Sequence, residues 1–202
     1  MKYSKILFIG DSITESGRFD DTKGIGNGYV HKVVEKLGLP LDNVLNRGVE
    51  GDQIVDLANR WDQDVLAERP DLLSISIGVN DVWRQLDSPE MNQISPEQFK
   101  DTYVQLLKKT IEELNLSIVL MEPTIIGEDP ESEGNKKLKE YVQAVREAAE
   151  QFECSYVPLH GAFIKQLRGK VLTPLTTDGV HMNERGDELM AVEWIKATRH
   201  LF

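Results

Sequence analysis

The stretch "KILFIGDSITESGR", residues 5–18, decides how this chain is read. Ile6 to Gly10 form an apolar run that ends in glycine, the pattern of a buried strand. The run stops at Asp11-Ser12. A strand that closes on an acid and a hydroxyl admits two readings. Ser12 can cap a following helix, or it can be a nucleophile held at the end of a sheet. The local sequence does not separate them.

Working outward from "ILFI" (6–9), four more apolar runs recur: "NVLN" (43–46), "LLSISI" (72–77), "SIVLM" (117–121) and "SYVPL" (155–159). Between and after them, apolar residues fall at helical spacing over 27–37, 52–67, 96–114, 133–152 and 183–200. Ser95-Pro96 and Asn183 are suitable helix starts, the first a cap followed by proline at the first helical position. Strand alternating with helix predicts an α/β fold with a mostly parallel sheet covered on both faces. A chain of 202 residues without a linker or repeat reads as one domain over 1–202. Right-handed crossovers bring the C-terminal ends of parallel strands to one edge, where ligands bind. The turns after the strands are therefore where function is sought. The acidic "EPTIIGEDPESEGN" (122–135) reads as a long loop after the fourth run.

Composition narrows the function classes. Lys and Arg number 23 against 34 Asp and Glu, a formal charge of −11, which argues against a nucleic-acid or anionic-membrane surface. The single cysteine, Cys154, excludes an internal disulfide and clustered-cysteine metal sites. The four histidines include no His-x-x-x-His pair, so a structural zinc site is not expected, and nothing in the sequence calls for a cofactor. "MKYSKILFIGDS" lacks the apolar length and cleavage site of a signal peptide, and no run approaches the roughly 20 residues needed to span a bilayer. The expectation is a cytoplasmic protein without membrane insertion.

Four polar turns should gather at the strand edge: Gly10-Asp11-Ser12, "NRGVEG" with Gly48 and Gly51, "GVND" with Asn80 and Asp81, and "DGVH" with Asp178 and His181. Together they suit acyl transfer. Ser12 is the candidate nucleophile, His181 the candidate base, and Asp178, three residues earlier, the candidate group that orients the imidazole. The backbone N–H groups of Ser12 and Gly48 and the Asn80 amide are candidate oxyanion donors. Asp11 reads as a brace for the turn. His160 is a rival base, but it has no acid close in sequence. Each residue also has a plain structural reading: the glycines as turn formers, Asn80-Asp81 as a capping pair, Asp178-Gly179 as a turn.

The four blocks resemble the SGNH hydrolases, also called GDSL-type esterases and lipases, named for a Ser, Gly, Asn and His in that order. The resemblance spans residues 10 to 181, with Ile13 where the motif has leucine. It implies a flavodoxin-like three-layer α/β/α sandwich with a central five-stranded parallel sheet, a Ser12–His181–Asp178 triad, an oxyanion hole completed by Gly48 and Asn80, and no metal. A narrower likeness, in "GDSITESGR", "NRGVEGDQIVDLANRWDQDV" and "IGVNDVWRQLD", is to bacterial carbohydrate acetylesterases, in particular acetylxylan esterases. It implies that Trp83 lies near the acyl pocket, unless that residue serves core packing or a subunit contact. It also implies a serine esterase that works through an acyl-enzyme on short-chain esters, acetyl above all, of a small sugar or oligosaccharide, and a homo-oligomer by analogy with those relatives alone. Lysophospholipase and acyl-thioesterase activities belong to the same family and are the alternatives, with a non-catalytic binding module as a remoter one. An aspartate-nucleophile phosphatase would want a second acid two residues after Asp11, where Ile13 stands. The glycines of "GIGNG" (24–28) do not follow directly on a strand, so a dinucleotide fingerprint fails its context.

Overall fold

The computed structural model describes residues 3–169 and 173–202. Five strands, β1 (Ile6–Gly10), β2 (Val44–Gly48), β3 (Leu72–Ser76), β4 (Ser117–Met121) and β5 (Ser155–Val157), form one sheet in the order β2-β1-β3-β4-β5. Every pairing is parallel. This is the flavodoxin-like order, whose switch point lies between β1 and β3. β1 and β3 are buried at every position, whereas edge strand β2 alternates buried with half-buried residues. A central parallel strand has helices on both faces and must be apolar throughout; an edge strand need not be.

Register places the site. Gly10 pairs with Gly48 on one side and with Ser76 on the other, so β1, β2 and β3 end level with one another. Whatever follows these three residues emerges side by side at one edge.

Helices α2 (Tyr29–Leu37) and α8 (Glu184–Thr198) pack together on one face of the sheet. α3 (Ile54–Trp61), α5 (Pro96–Glu113) and α6 (Glu133–Gln151) cover the other. Each face holds a buried tryptophan with its indole N–H satisfied. Trp194 of α8 donates to Ser74 Oγ on β3 at 2.9 Å, and Trp61 of α3 donates to Thr110 Oγ1 on α5 at 3.0 Å. A buried indole stabilises through its large apolar area only if its N–H finds an acceptor. The expected caps form: Ser95 and Asn183 accept from the first turns of α5 and α8.

The helix expected over 52–67 is shorter. α3 ends at Trp61 and passes into one wide π turn over Asp62–Leu66, which buries Val65 and Leu66 and turns Asp64 back to Arg60. Three helices lie outside the spans with helical spacing: α1 (Ser12–Glu15), α4 (Val79–Asp87) and α7 (Leu159–Leu167). α4 escapes a periodicity reading because its buried first turn includes Asn80 and Asp81, polar residues sunk at the sheet edge. β5 stops at Val157 because proline follows, and the remainder of "SYVPL" begins α7. Among the described residues no helix is long and apolar enough to cross a membrane.

Candidate active site

Ser12 stands one residue beyond the cap of α1. Asp11, not Ser12, caps that helix: its Oδ1 accepts the Ile13 N–H at 3.0 Å. The hydroxyl of Ser12 is therefore not engaged as a cap. Asp11 is almost completely buried, and burial pushes its carboxyl up to about 7; the Ile13 N–H bond pulls the other way.

The Ser12 Oγ lies 3.0 Å from His181 Nε2, and His181 Nδ1 lies 2.6 Å from Asp178 Oδ2. These three side chains, 169 residues apart in sequence at their extremes, form one continuous chain of hydrogen bonds. Asp178 Oδ1 also accepts the backbone N–H groups of Val180 and His181 at 3.0 and 2.8 Å. Partial burial would raise the Asp178 carboxyl, but the bonds from the His181 ring and from these two N–H groups outweigh it and hold it down at about 2. An ionised Asp178 can only accept, so in the neutral imidazole His181 Nδ1 carries the proton and Nε2 presents a lone pair to the Ser12 hydroxyl. Such an arrangement can draw the proton from a serine as it attacks an ester carbonyl.

The loop after β4 braces this acid–base turn. Glu128 Oε1 accepts Leu175 N–H at 2.9 Å and Thr176 N–H at 2.8 Å, and also the Thr176 hydroxyl. Gly127 N–H donates to Gly179 C=O at 2.7 Å. Asn135, at the start of α6, fixes the loop through Ile126 N–H, Gly127 C=O and Asp129 C=O. The segment expected to be a long loop is thus a support for Asp178 and His181, and the helix after it begins at Glu133.

Of the expected oxyanion donors, the Ser12 N–H has no partner among the described residues. Asn80 is buried in the first turn of α4; its Nδ2 donates to Asp52 C=O at 3.0 Å, leaving its second N–H without a partner among the described residues. Gly48 is a correction. Its N–H donates to Asn46 Oδ1 at 2.8 Å, so that amide is already engaged. Glycine is needed there for another reason: a Cβ would lie 2.2 Å from Glu15 N, so a side chain would push α1 off β2. Gly51, three residues on, has a left-handed φ of 82°, and its N–H has no partner among the described residues. Asn46 is the residue that makes the distinction, because it also donates to Thr14 C=O at 2.6 Å and Ile25 C=O at 2.9 Å. An asparagine two residues before a glycine is the one sequence signal for it, since Asx side chains bond the backbone two residues on.

Trp83, on α4, packs beside the imidazole, with ring centroids 5.8 Å apart. His160 does not join the site: it lies on α7 with Nδ1 2.6 Å from Thr124 C=O, and burial lowers its basicity. A cleft of about 330 Å³ opens over Ser12 and His181, with Glu15, Ser16, Asn27, Glu50 and Asp187 on its walls.

A parallel sheet with an edge-mounted serine, histidine and aspartate defines a hydrolase-type site. The chain belongs to the GDSL-like lipase/acylhydrolase family, whose family model matches residues 8–189, and it is a carboxylic ester hydrolase. It is similar to an acetylxylan esterase from Geobacillus stearothermophilus, with 33% identity over 96% of both chains. A crystal structure of a catalytic mutant of that esterase, Axe2, superposes with a TM-score of 0.88 at 33% identity, covering 96% of this chain and 93% of that one. An alpha/beta hydrolase from the metagenome of Lake Arreo, Spain, superposes with a TM-score of 0.89 at 32% identity, covering 98% of this chain and 96% of that one.

Proposed function

We propose that this esterase removes acetyl groups from a small, uncharged sugar or oligosaccharide, with the whole chain acting as one domain. The observation that carries the mechanism is the unbroken path Ser12 Oγ–His181–Asp178, with steps of 3.0 and 2.6 Å. His181 Nε2 takes the Ser12 proton as Oγ bonds to the ester carbonyl carbon. The carbonyl oxygen becomes an oxyanion, for which Ser12 N–H, Gly51 N–H and the free N–H of Asn80 are the available donors. The imidazolium, steadied by ionised Asp178, gives its proton to the departing alkoxide, leaving an acyl-enzyme. Water then attacks with His181 again as base, releasing the carboxylic acid and restoring Ser12.

Two features support the substrate and one the triad. Solved relatives include an acetylxylan esterase and an acetyl-xylooligosaccharide esterase. Their catalytic mutants replace a serine, an aspartate and a histidine three positions after the aspartate, the spacing of Asp178 and His181 here. The cleft walls offer carboxylates and an amide for hydroxyl groups and, among the described residues, include no lysine or arginine for a phosphate. That favours a neutral polyhydroxylated alcohol over a lysophospholipid or a coenzyme A thioester.

The test is hydrolysis of p-nitrophenyl acetate by the wild type and Ser12→Ala. The variant should lose at least about 10⁴-fold in kcat; wild-type turnover in it would remove Ser12 from the mechanism. A panel of acetylated xylose oligosaccharides, lysophospholipids and acyl-thioesters decides the substrate. The acetylated sugars should be hydrolysed best, and a preference for p-nitrophenyl octanoate over the acetate would overturn the acetylesterase reading.

A further inference from the structure

Arg60, the seventh residue of α3, is not part of the hydrogen-bond chain through Ser12, yet its guanidinium is drawn to the sheet edge beneath it. Nη2 donates to Gly10 C=O at 3.0 Å and Nη1 to Arg47 C=O at 2.8 Å. Nε donates to Asp52 Oδ2 and Nη1 also to Asp64 Oδ2, both at 2.7 Å. Three of these four acceptors adjoin the candidate oxyanion hole. Gly10 directly precedes the Asp11-Ser12 turn, Arg47 directly precedes Gly48 at the end of β2, and Asp52 directly follows Gly51. Asn80 completes the link, since its amide holds the backbone carbonyl of the same Asp52.

The position is costly to fill. Asp52 is mostly buried, and burial raises its carboxyl while Arg60 pulls it back. At the tip of the β1–β2 pair Val49 N–H donates to Gly10 C=O at 3.0 Å and Arg18 Nε to Gly48 C=O at 2.7 Å, and Arg60 adds its bonds to the Gly10 and Arg47 carbonyls. A planar cation with several N–H groups can join two such carbonyls and a carboxylate at once; an ammonium on a flexible stem cannot hold that geometry. The π turn after Trp61 brings Asp64 back to the guanidinium and fixes its plane.

We propose that Arg60 is the positioning residue of the oxyanion half of the site: it sets the spacing between the turn that carries the Ser12 N–H and the turn that carries the Gly51 N–H and holds the Asn80 amide. This rests on the serine-esterase reading above. Donors preset for a developing charge lose effect when displaced by a fraction of a bond length, and the loss falls on the transition state rather than on substrate binding.

The test compares Arg60→Lys and Arg60→Gln with the wild type, using p-nitrophenyl acetate and a boronic acid that forms a tetrahedral adduct on a serine. Both variants should lower kcat by about 10–100-fold, with KM within about threefold. Boronate affinity should fall by a similar factor, and the acid limb of the pH profile should stay in place because His181 and Asp178 are untouched. A folded variant with wild-type kcat and boronate affinity overturns the proposal, as does a loss confined to KM or a shifted acid limb. If neither variant folds, Asp52→Ala, which frees one side of the guanidinium, should show the same pattern more weakly; wild-type kcat there overturns the proposal too. Failure of the esterase reading is a separate result, since it would appear as activity surviving Ser12→Ala.

Discussion

The Trp83 indole stands edge-on to the His181 imidazole, with ring centroids 5.8 Å apart and planes at 70°. Trp83 and Asn80 share α4, so one helix supplies both a wall against the base and a candidate oxyanion donor. An edge-to-face aromatic pair contributes about 0.5–1.5 kcal/mol beyond its buried area. Trp83→Ala should therefore lower kcat/KM for p-nitrophenyl acetate by roughly 3–10-fold, with Trp83→Phe closer to wild type. If the indole also bounds the acyl pocket, the butyrate-to-acetate ratio of kcat/KM rises about tenfold in Trp83→Ala, since a methylene in a fitted pocket is worth that much. An unchanged ratio would place Trp83 outside the acyl pocket.

Asp178 sets the pH behaviour of the candidate base. Its carboxyl, held down at about 2, stays ionised throughout the range in which an imidazole protonates. Asp178 should thus add no protonation to the acid limb of kcat/KM, along which activity falls as pH falls. Asp178→Asn should reduce kcat by about 10³–10⁴-fold, because the amide can donate to Nδ1 and favour the wrong tautomer. Residual activity should show its acid limb at lower pH, since the imidazolium has lost its counter-ion. A pH–rate profile with the limb unmoved would deny Asp178 that electrostatic role.

Glu128 predicts a separation of stability from chemistry. Its carboxylate receives two N–H groups and a hydroxyl from Leu175 and Thr176, and no other acceptor for these is present among the described residues. Glu128→Ala leaves those donors unsatisfied and should cost about 2 kcal/mol in denaturant unfolding, with a fall in kcat as the Asp178–His181 turn loosens. Glu128→Gln keeps an acceptor oxygen and should sit much closer to wild type in both. Equal effects of the two substitutions would show that the carboxylate does not act through these bonds.

Asp81 makes a prediction about pH and stability. It is fully buried at the start of α4, accepts the Ile54 N–H that opens α3, and burial pushes its carboxyl up to about 7. From about pH 4 to 7 the folded chain holds this proton while the unfolded chain has released it, so the contribution of Asp81 to stability falls as pH rises through that window. Asp81→Asn removes the charge and keeps an oxygen for Ile54. The variant should melt with the wild type near pH 4 and about 3–10 °C higher near pH 8, if about 1–3 kcal/mol of the burial cost is relieved. Melting curves at the two pH values check it, and a difference that does not grow with pH would rule out an ionised, penalised Asp81.

Much of the fold lies in local pattern. The five apolar runs, the caps at Ser95 and Asn183, and the order of the four polar turns are readable because burial on both faces of a parallel strand demands continuous apolar residues. Helix α4 is not readable in this way, because its buried face begins with Asn80 and Asp81, whose partners Asp52 and Ile54 come from another turn.

The sequence by itself determined which turns meet: strands that alternate with helices must run parallel, and their ends must share an edge. Tertiary structure alone decided what each group at that edge is free to do. Gly48 and Gly51 look alike in "NRGVEG", but Asn46 takes the Gly48 N–H and leaves that of Gly51 open. Arg60 reads as one charged residue on a helix until its guanidinium is seen to join Gly10 to Arg47 and Asp52. Periodicity fixes the direction in which a residue faces, whereas a hydrogen bond also needs a partner at a set distance, and here those partners come from strands and turns that only folding brings together.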